Sequence, residues 1–139
     1  MLGTKVIVER LPVGGQDHEE RRLYNARGEM AQILNRKAET FRHLVYWDLD
    51  TPGSDEERGH HYHKRETEHF YILTGEAEIL LEDLETGEKA ALNVEAGTRV
   101  HISPGVAHAY HSLGYCQVLE YSPDPYDPTD TYPHRVEIT

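Results

Sequence analysis

Histidine and glutamate at short, regular spacing are the first residues in this chain that could do chemistry. From Gly59 to Gly75 it reads GHHYHKRETEHFYILTG, which holds four of its ten histidines. His61 and His63 are two apart, and side chains two apart on an extended strand point the same way. Glu68 opens an apolar run and shares a face with Phe70 and Ile72, which would form the floor of a pocket. A bend between 63 and 68 brings that carboxylate to the two imidazoles. A fourth donor must come from elsewhere. His108 is the candidate, because it follows the turn Ser103-Pro104-Gly105 at the opening of another strand. Three imidazoles and one carboxylate suit a borderline divalent ion: zinc, iron, manganese, nickel or cobalt. Open positions on such an ion allow Lewis-acid chemistry or oxygen binding. The competing reading is a solvated, His-rich surface, since His60, His69, His101 and His111 show how freely this chain uses histidine.

The elements that must position these residues read as strands. Residues 6–8 form a short β-branched run. Residues 9–24 are polar and Gly-rich and read as a loop, and 30–34 as either a strand or one helical turn. A strand is expected over 42–49, followed by the strong turn signal TPGSDEERG. Further strands are expected at 68–73, 76–82, 90–94, 98–103, 107–113 and 117–121. In the second of these, Ala77, Ile79 and Leu81 fall on one face. Many short strands separated by Gly turns indicate an all-β sandwich or barrel. The length suits one domain, 1–139, with its core over about 42–122. The tail, 123–139, carries four of the seven prolines. It reads as an extended arm on the surface or on a partner subunit, with no core of its own.

A formal net charge of −11 argues against nucleic acid as a partner, because phosphate binding needs a basic face. A phosphorylated small molecule is compatible, since one Arg in a pocket can hold a diphosphate. The single cysteine, Cys116, cannot form an intrachain disulfide, and a cytoplasmic location is the simplest expectation. No stretch approaches the roughly 18 apolar residues of a membrane span, and the first residues lack the pattern of a signal peptide.

His61-Tyr62-His63, four residues, Glu68, six residues, Gly75 resembles the first motif of the cupin superfamily in composition and spacing. Gly97, five residues, Ser103-Pro104-Gly105, two residues, His108 resembles the second. The resemblance implies a double-stranded β-helix, a jelly-roll barrel with a divalent metal inside held by His61, His63, Glu68 and His108. Three positions depart from the pattern. Ser103 replaces a usual proline, Ser112 a usual asparagine, and the glycine expected before the first His is displaced, with Gly53 and Gly59 flanking its place. None is a ligand position.

A second resemblance covers much of the rest. Asn25-Ala26-Arg27-Gly28-Glu29-Met30, the run Arg58-Gly59-His60-His61-Tyr62-His63-Lys64 and the tail's Tyr126-Asp127-Pro128 are similar to segments of nucleotide-sugar ketoisomerases and epimerases related to dTDP-4-keto-sugar 3,5-epimerase. The tail also resembles that of the C-terminal cupin domain of a capsular-polysaccharide reductase. This implies a sugar-derivative substrate, a nucleotide-sugar or phosphosugar, isomerised or epimerised through an enediolate. Such a reaction needs a stabilised oxyanion and a base. The candidates are His63 as base where no metal is bound, Tyr110 as a pocket group of the same parity as His108, and Arg58 for phosphate or carboxylate. Arg58 reads equally as a solvated loop residue beside Glu56 and Glu57, and Tyr110 as core. Rival readings are a non-haem metal dioxygenase using the same four ligands and a non-catalytic metabolite-binding cupin. A homodimer is expected, because small cupins pair and an open sheet edge needs cover.

Overall fold

Alternating apolar residues interrupted by glycine turns become strands in the computed structural model, which describes residues 2–138. Two five-stranded sheets form the body. From edge to edge, the first contains β1 (Val6–Arg10), β9 (Thr98–Ile102), β6 (Glu68–Thr74), β11 (Cys116–Ser122) and β4 (His43–Leu49). The second contains β12 (Tyr132–Pro133), β5 (Arg58–Tyr62), β10 (Val106–Ser112), β7 (Glu76–Asp83) and β8 (Lys89–Glu95). Their pairings are antiparallel. From β4 to β11 the chain crosses repeatedly from one sheet to the other, which is the winding of a jelly roll. The fold is the all-β double-stranded β-helix that the motifs imply.

Period-2 patterning explains the core. On β7, Ala77, Ile79 and Leu81 are fully buried while the residues between them reach the surface side. They meet Ile72 of β6, Val100 of β9 and Val118 of β11 from the opposite sheet in one apolar cluster. Glycine is required where backbones cross closely. At Gly75, φ is +82°, and a Cβ would lie 1.9 Å from the Tyr115 carbonyl oxygen.

Three expectations need correction. Residues 9–24 are not all loop: β2 (Arg21–Asn25) pairs with β3 (Gly28–Gln32) in a separate hairpin, which also settles 30–32 as strand. The apolar pattern is weak there because Arg22 is a buried residue of β2, its guanidinium bonded to Glu29 and to the Ala96 carbonyl. The core also extends beyond 42–122. Leu2 and Val6 belong to its cluster, and Val136 is only 2% exposed. Finally, the Pro-rich tail is not without buried contacts: of the two placements expected for it, it lies along its own chain. Tyr132 pairs with Tyr62 of β5 and stacks on its ring at 5.3 Å, and His134 N–H donates to the His60 carbonyl. Proline is tolerated there because β12 is an edge strand.

Candidate functional site

The four predicted donors converge. His61 lies on β5, His63 just beyond it, Glu68 at the start of β6 and His108 on β10. One ligand atom from each lies within 4.8 Å of all the others. His61 and His108 are register partners across the β5–β10 pair, with ring centroids 4.9 Å apart. Simple alternation along β5 does not produce this. A bulge at His60, whose φ is +56°, resets the strand. His60 therefore points away, bonding Glu57 through Nε2 while its Nδ1 accepts from the Val136 N–H. Gly59 makes the close approach possible, since a Cβ there would sit 2.7 Å from the His108 carbonyl oxygen. His69, on β6, faces away from the cluster and stacks on Tyr121.

The imidazoles are oriented by bonds on their outer nitrogens. His63 Nδ1–H donates to the Asp130 carbonyl at 2.7 Å, and His108 Nδ1–H to the Val106 carbonyl at 3.1 Å. Those bonds fix a proton on each Nδ1 and turn Nε2 inward, the outer-shell arrangement typical of metal-ligating histidines. Inside, His63 Nε2 approaches Glu68 Oε1 closely, and His108 Nε2 lies 3.1 Å from Glu68 Oε2. Even so, His63 Nε2, His108 Nε2 and Glu68 Oε2 are buried without a hydrogen bond of good geometry. Three orphaned inward-facing donor atoms are costly in a core unless something completes them. The set fits a borderline divalent cation.

Electrostatics separate the members. Burial opposes ionisation of Glu68, but His108 and His63 hold its carboxyl far below the usual range. Burial works against a charge on His63, yet Glu68 raises it to about 9. His61 is pushed down to about 4, chiefly by burial and then by His108, so it is neutral.

His61 and His108 also form part of the wall of a cavity of about 510 Å³. Phe70, Trp47, Tyr110 and Glu120 line it too. Of the expected apolar floor, Phe70 faces this space, whereas Ile72 is packed into the core beyond it. Tyr110 has a buried hydroxyl with no hydrogen-bond partner, and its ring packs edge-on to Trp47 and Phe70. Arg58 lies in the lining as an exposed residue, its Nε donating to the Asp48 carbonyl and its guanidinium over the Trp47 ring.

The model of the polysaccharide biosynthesis C-terminal domain matches residues 24–132. The chain belongs to that family. This stretch of the polysaccharide biosynthesis C-terminal domain holds all four donors, Arg58 and Tyr110. A TDP-4-oxo-6-deoxy-α-D-glucose-3,4-oxoisomerase of Aneurinibacillus thermoaerophilus is 29% identical over 112 residues, 79% of each chain. The solved TDP-quinovose 3,4-ketoisomerase WlaRB of Campylobacter jejuni superposes with a TM-score of 0.71 at 19% identity, over 93% of this chain and 92% of that one. The dTDP-6-deoxy-D-glucose-3,5-epimerase RmlC of Legionella pneumophila gives 0.69 at 16% identity, over 91% and 77%. At those identities the two structures speak for the fold.

Two residues of this family member escaped the sequence reading. Glu120 had a usable signal: Cys116 and Val118, on the same parity of β11, are fully buried, so an acidic residue two further on also faces inward. Asp130 had none. It sits in a short 3-10 turn, Pro128–Asp130, capped by Asp127, and meets His63 only through the folded tail.

Proposed function

We propose that this member of the family is an isomerase or epimerase of keto sugars carried on a nucleotide. The observation that carries the reading is that His61 and His108 belong at once to a buried His-His-Glu-His donor set and to the wall of a cavity of about 510 Å³. A binding site and a charge-stabilising site thus share side chains. The 29% identical relative, itself named as a TDP-sugar oxoisomerase, supports the same class.

His61, His63, Glu68 and His108 would hold a divalent ion. When bound, such an ion supplies a Lewis acid that stabilises negative charge on a substrate oxygen. The chain's own groups do the rest. Trp47 and Phe70 form an apolar part of the wall, against which a sugar ring would pack. The Tyr110 hydroxyl, unpartnered and with its pKa raised well above normal by burial, stays protonated and can bond a sugar oxygen. Arg58 offers a guanidinium to a phosphate. Two copies would pair through the face where Phe41, Leu44, Tyr46 and Met30 are each about half exposed. Among the described residues no helix is long and apolar enough to cross a membrane. The single, buried cysteine suits a reducing compartment, and this reading takes the enzyme to be cytoplasmic.

The test is proton exchange. Incubated in D2O with TDP-4-keto-6-deoxyglucose, the protein should incorporate deuterium at a carbon next to the ketone and move the ketone or invert that carbon, as read by NMR. Oxygen uptake with a catechol substrate, or tight ligand binding without exchange, would overturn the reading in favour of a dioxygenase or a binding module.

A further inference from the structure

The reaction class needs a base that takes a proton from carbon, and the four donors are committed to one another. Glu120 lies outside that set, on β11 between Val45 of β4 and Phe70 of β6, and faces the same cavity as His61 and His108. One carboxyl oxygen, Oε1, takes a hydrogen bond from Trp47 Nε1 at 3.3 Å. No Lys, Arg or His forms a salt bridge with it among the described residues, so no fixed cation holds it as a structural ion pair. A largely buried carboxyl that opens on a substrate-sized cavity with a single neutral donor is poorly placed for stability and well placed for proton transfer.

Resting on the reading above, we infer that Glu120 is the catalytic base that moves the proton between neighbouring carbons of the sugar. Its carboxylate takes the proton from the carbon beside the ketone. The C–H electron pair becomes the C=C bond of an enediolate, and the ketone's π pair moves onto its oxygen. The Tyr110 hydroxyl passes its proton to that oxygen in the same motion as it takes one from the neighbouring hydroxyl, so it never carries a charge and ends unchanged. The protonated Glu120 then returns its proton to the former carbonyl carbon as the new C=O forms. Nothing is oxidised or reduced overall, and both residues regain their starting state. For epimerisation the proton returns to the same carbon from the other face, which one carboxyl on one wall does not reach, so Glu120 favours ketone migration. Burial, and then the negative charge of Glu68, raise its pKa to about 7, where a base both holds and releases a proton near neutrality.

The experiment compares full-length wild type, Glu120→Gln and Glu120→Ala in the D2O assay with TDP-4-keto-6-deoxyglucose. Sugar binding, ion content and melting are measured alongside. Glu120→Gln is expected to lose about 10²–10⁴-fold in kcat with sugar binding retained, the usual span for a general base. Added formate is expected to restore exchange in Glu120→Ala and not in Glu120→Gln, where the amide fills the space. If Glu120→Gln keeps kcat within threefold of wild type, the base assignment is wrong while the isomerase reading stands. A loss of sugar binding equal to the loss of rate, without formate rescue, also overturns it, because the role is then structural. Wild type that neither moves the ketone nor exchanges deuterium overturns the isomerase reading, and the assignment with it.

Discussion

Replacing Asp130 by alanine tests whether the tail holds the donor set in place. The Asp130 carboxylate accepts three consecutive backbone N–H bonds, from Lys64 at 2.9 Å, Arg65 at 3.1 Å and Glu66 at 2.9 Å. Against its own burial, those bonds hold its carboxyl below the usual range. A depressed carboxyl stabilises the fold above its unfolded pKa, and that contribution disappears as pH falls through the folded value. Hydrogen bonds to a charged group are each worth about 1.5–3 kcal/mol. Lys64 and Arg65 are exposed, so water replaces much of what their N–H groups lose, whereas the Glu66 N–H is buried. The net loss for Asp130→Ala is therefore about 3 kcal/mol near neutral pH, with the largest share from that buried N–H. The effect reaches the site, because the main-chain carbonyl of Asp130 accepts His63 Nδ1–H. Alanine keeps that carbonyl but frees the turn that fixes its position, so the ring loses a well-placed partner, and loss of such a partner typically costs 10–100-fold in metal affinity. Urea denaturation measures the first quantity and Zn²⁺ titration the second. Glu85→Ala is the control, since it removes an exposed carboxylate that bonds Lys5 far from the tail, and it should change metal affinity little. If Asp130→Ala binds zinc as tightly as wild type, the tail does not orient His63.

His61→Ala, His63→Ala and His108→Ala should each strip the ion, and full occupancy by elemental analysis in all three would reject the donor set. Glu120 contributes a pH effect of the opposite sign to Asp130. Its raised pKa, about 7 against 4.5, destabilises the ion-free fold progressively as pH rises between those values. Glu120→Gln should thus be more stable than wild type at pH 8, by up to about 3 kcal/mol, and equal to it at pH 4. Equal urea midpoints at both pH values would contradict the unpaired carboxyl. Light scattering at micromolar concentration should give twice the chain mass, and a monomer would reject pairing through the Phe41–Leu44 face.

What could be read from the sequence follows how local each cause is. Strand alternation is local, so Ala77, Ile79 and Leu81 were legible on one face of β7. The convergence of the four side chains was legible because the spacing of His61, His63 and Glu68 is confined to one bend and His108 follows a strong turn. The route to that geometry was hidden, however. His60 points away because a bulge turns its backbone, and that bulge depends on Gly59 crossing β10. The β2 strand was hidden because Arg22 is buried with bonds to Glu29 and Ala96, and an Arg in a polar stretch carries no hydrophobic period.

The tail shows the limit most clearly. Proline content suggested an extended arm with no core of its own, yet the same residues place a carbonyl on His63, a carboxylate on residues 64–66 and a buried Val136 against the body. A Pro-rich segment cannot supply interior ladder hydrogen bonds, but it can cap an edge and lend its acceptors to a neighbour. Here it lends them to a histidine of the donor set. The tail is thus expected to be as intolerant of change as the donors it orients, although nothing in its local pattern marks it as part of the site.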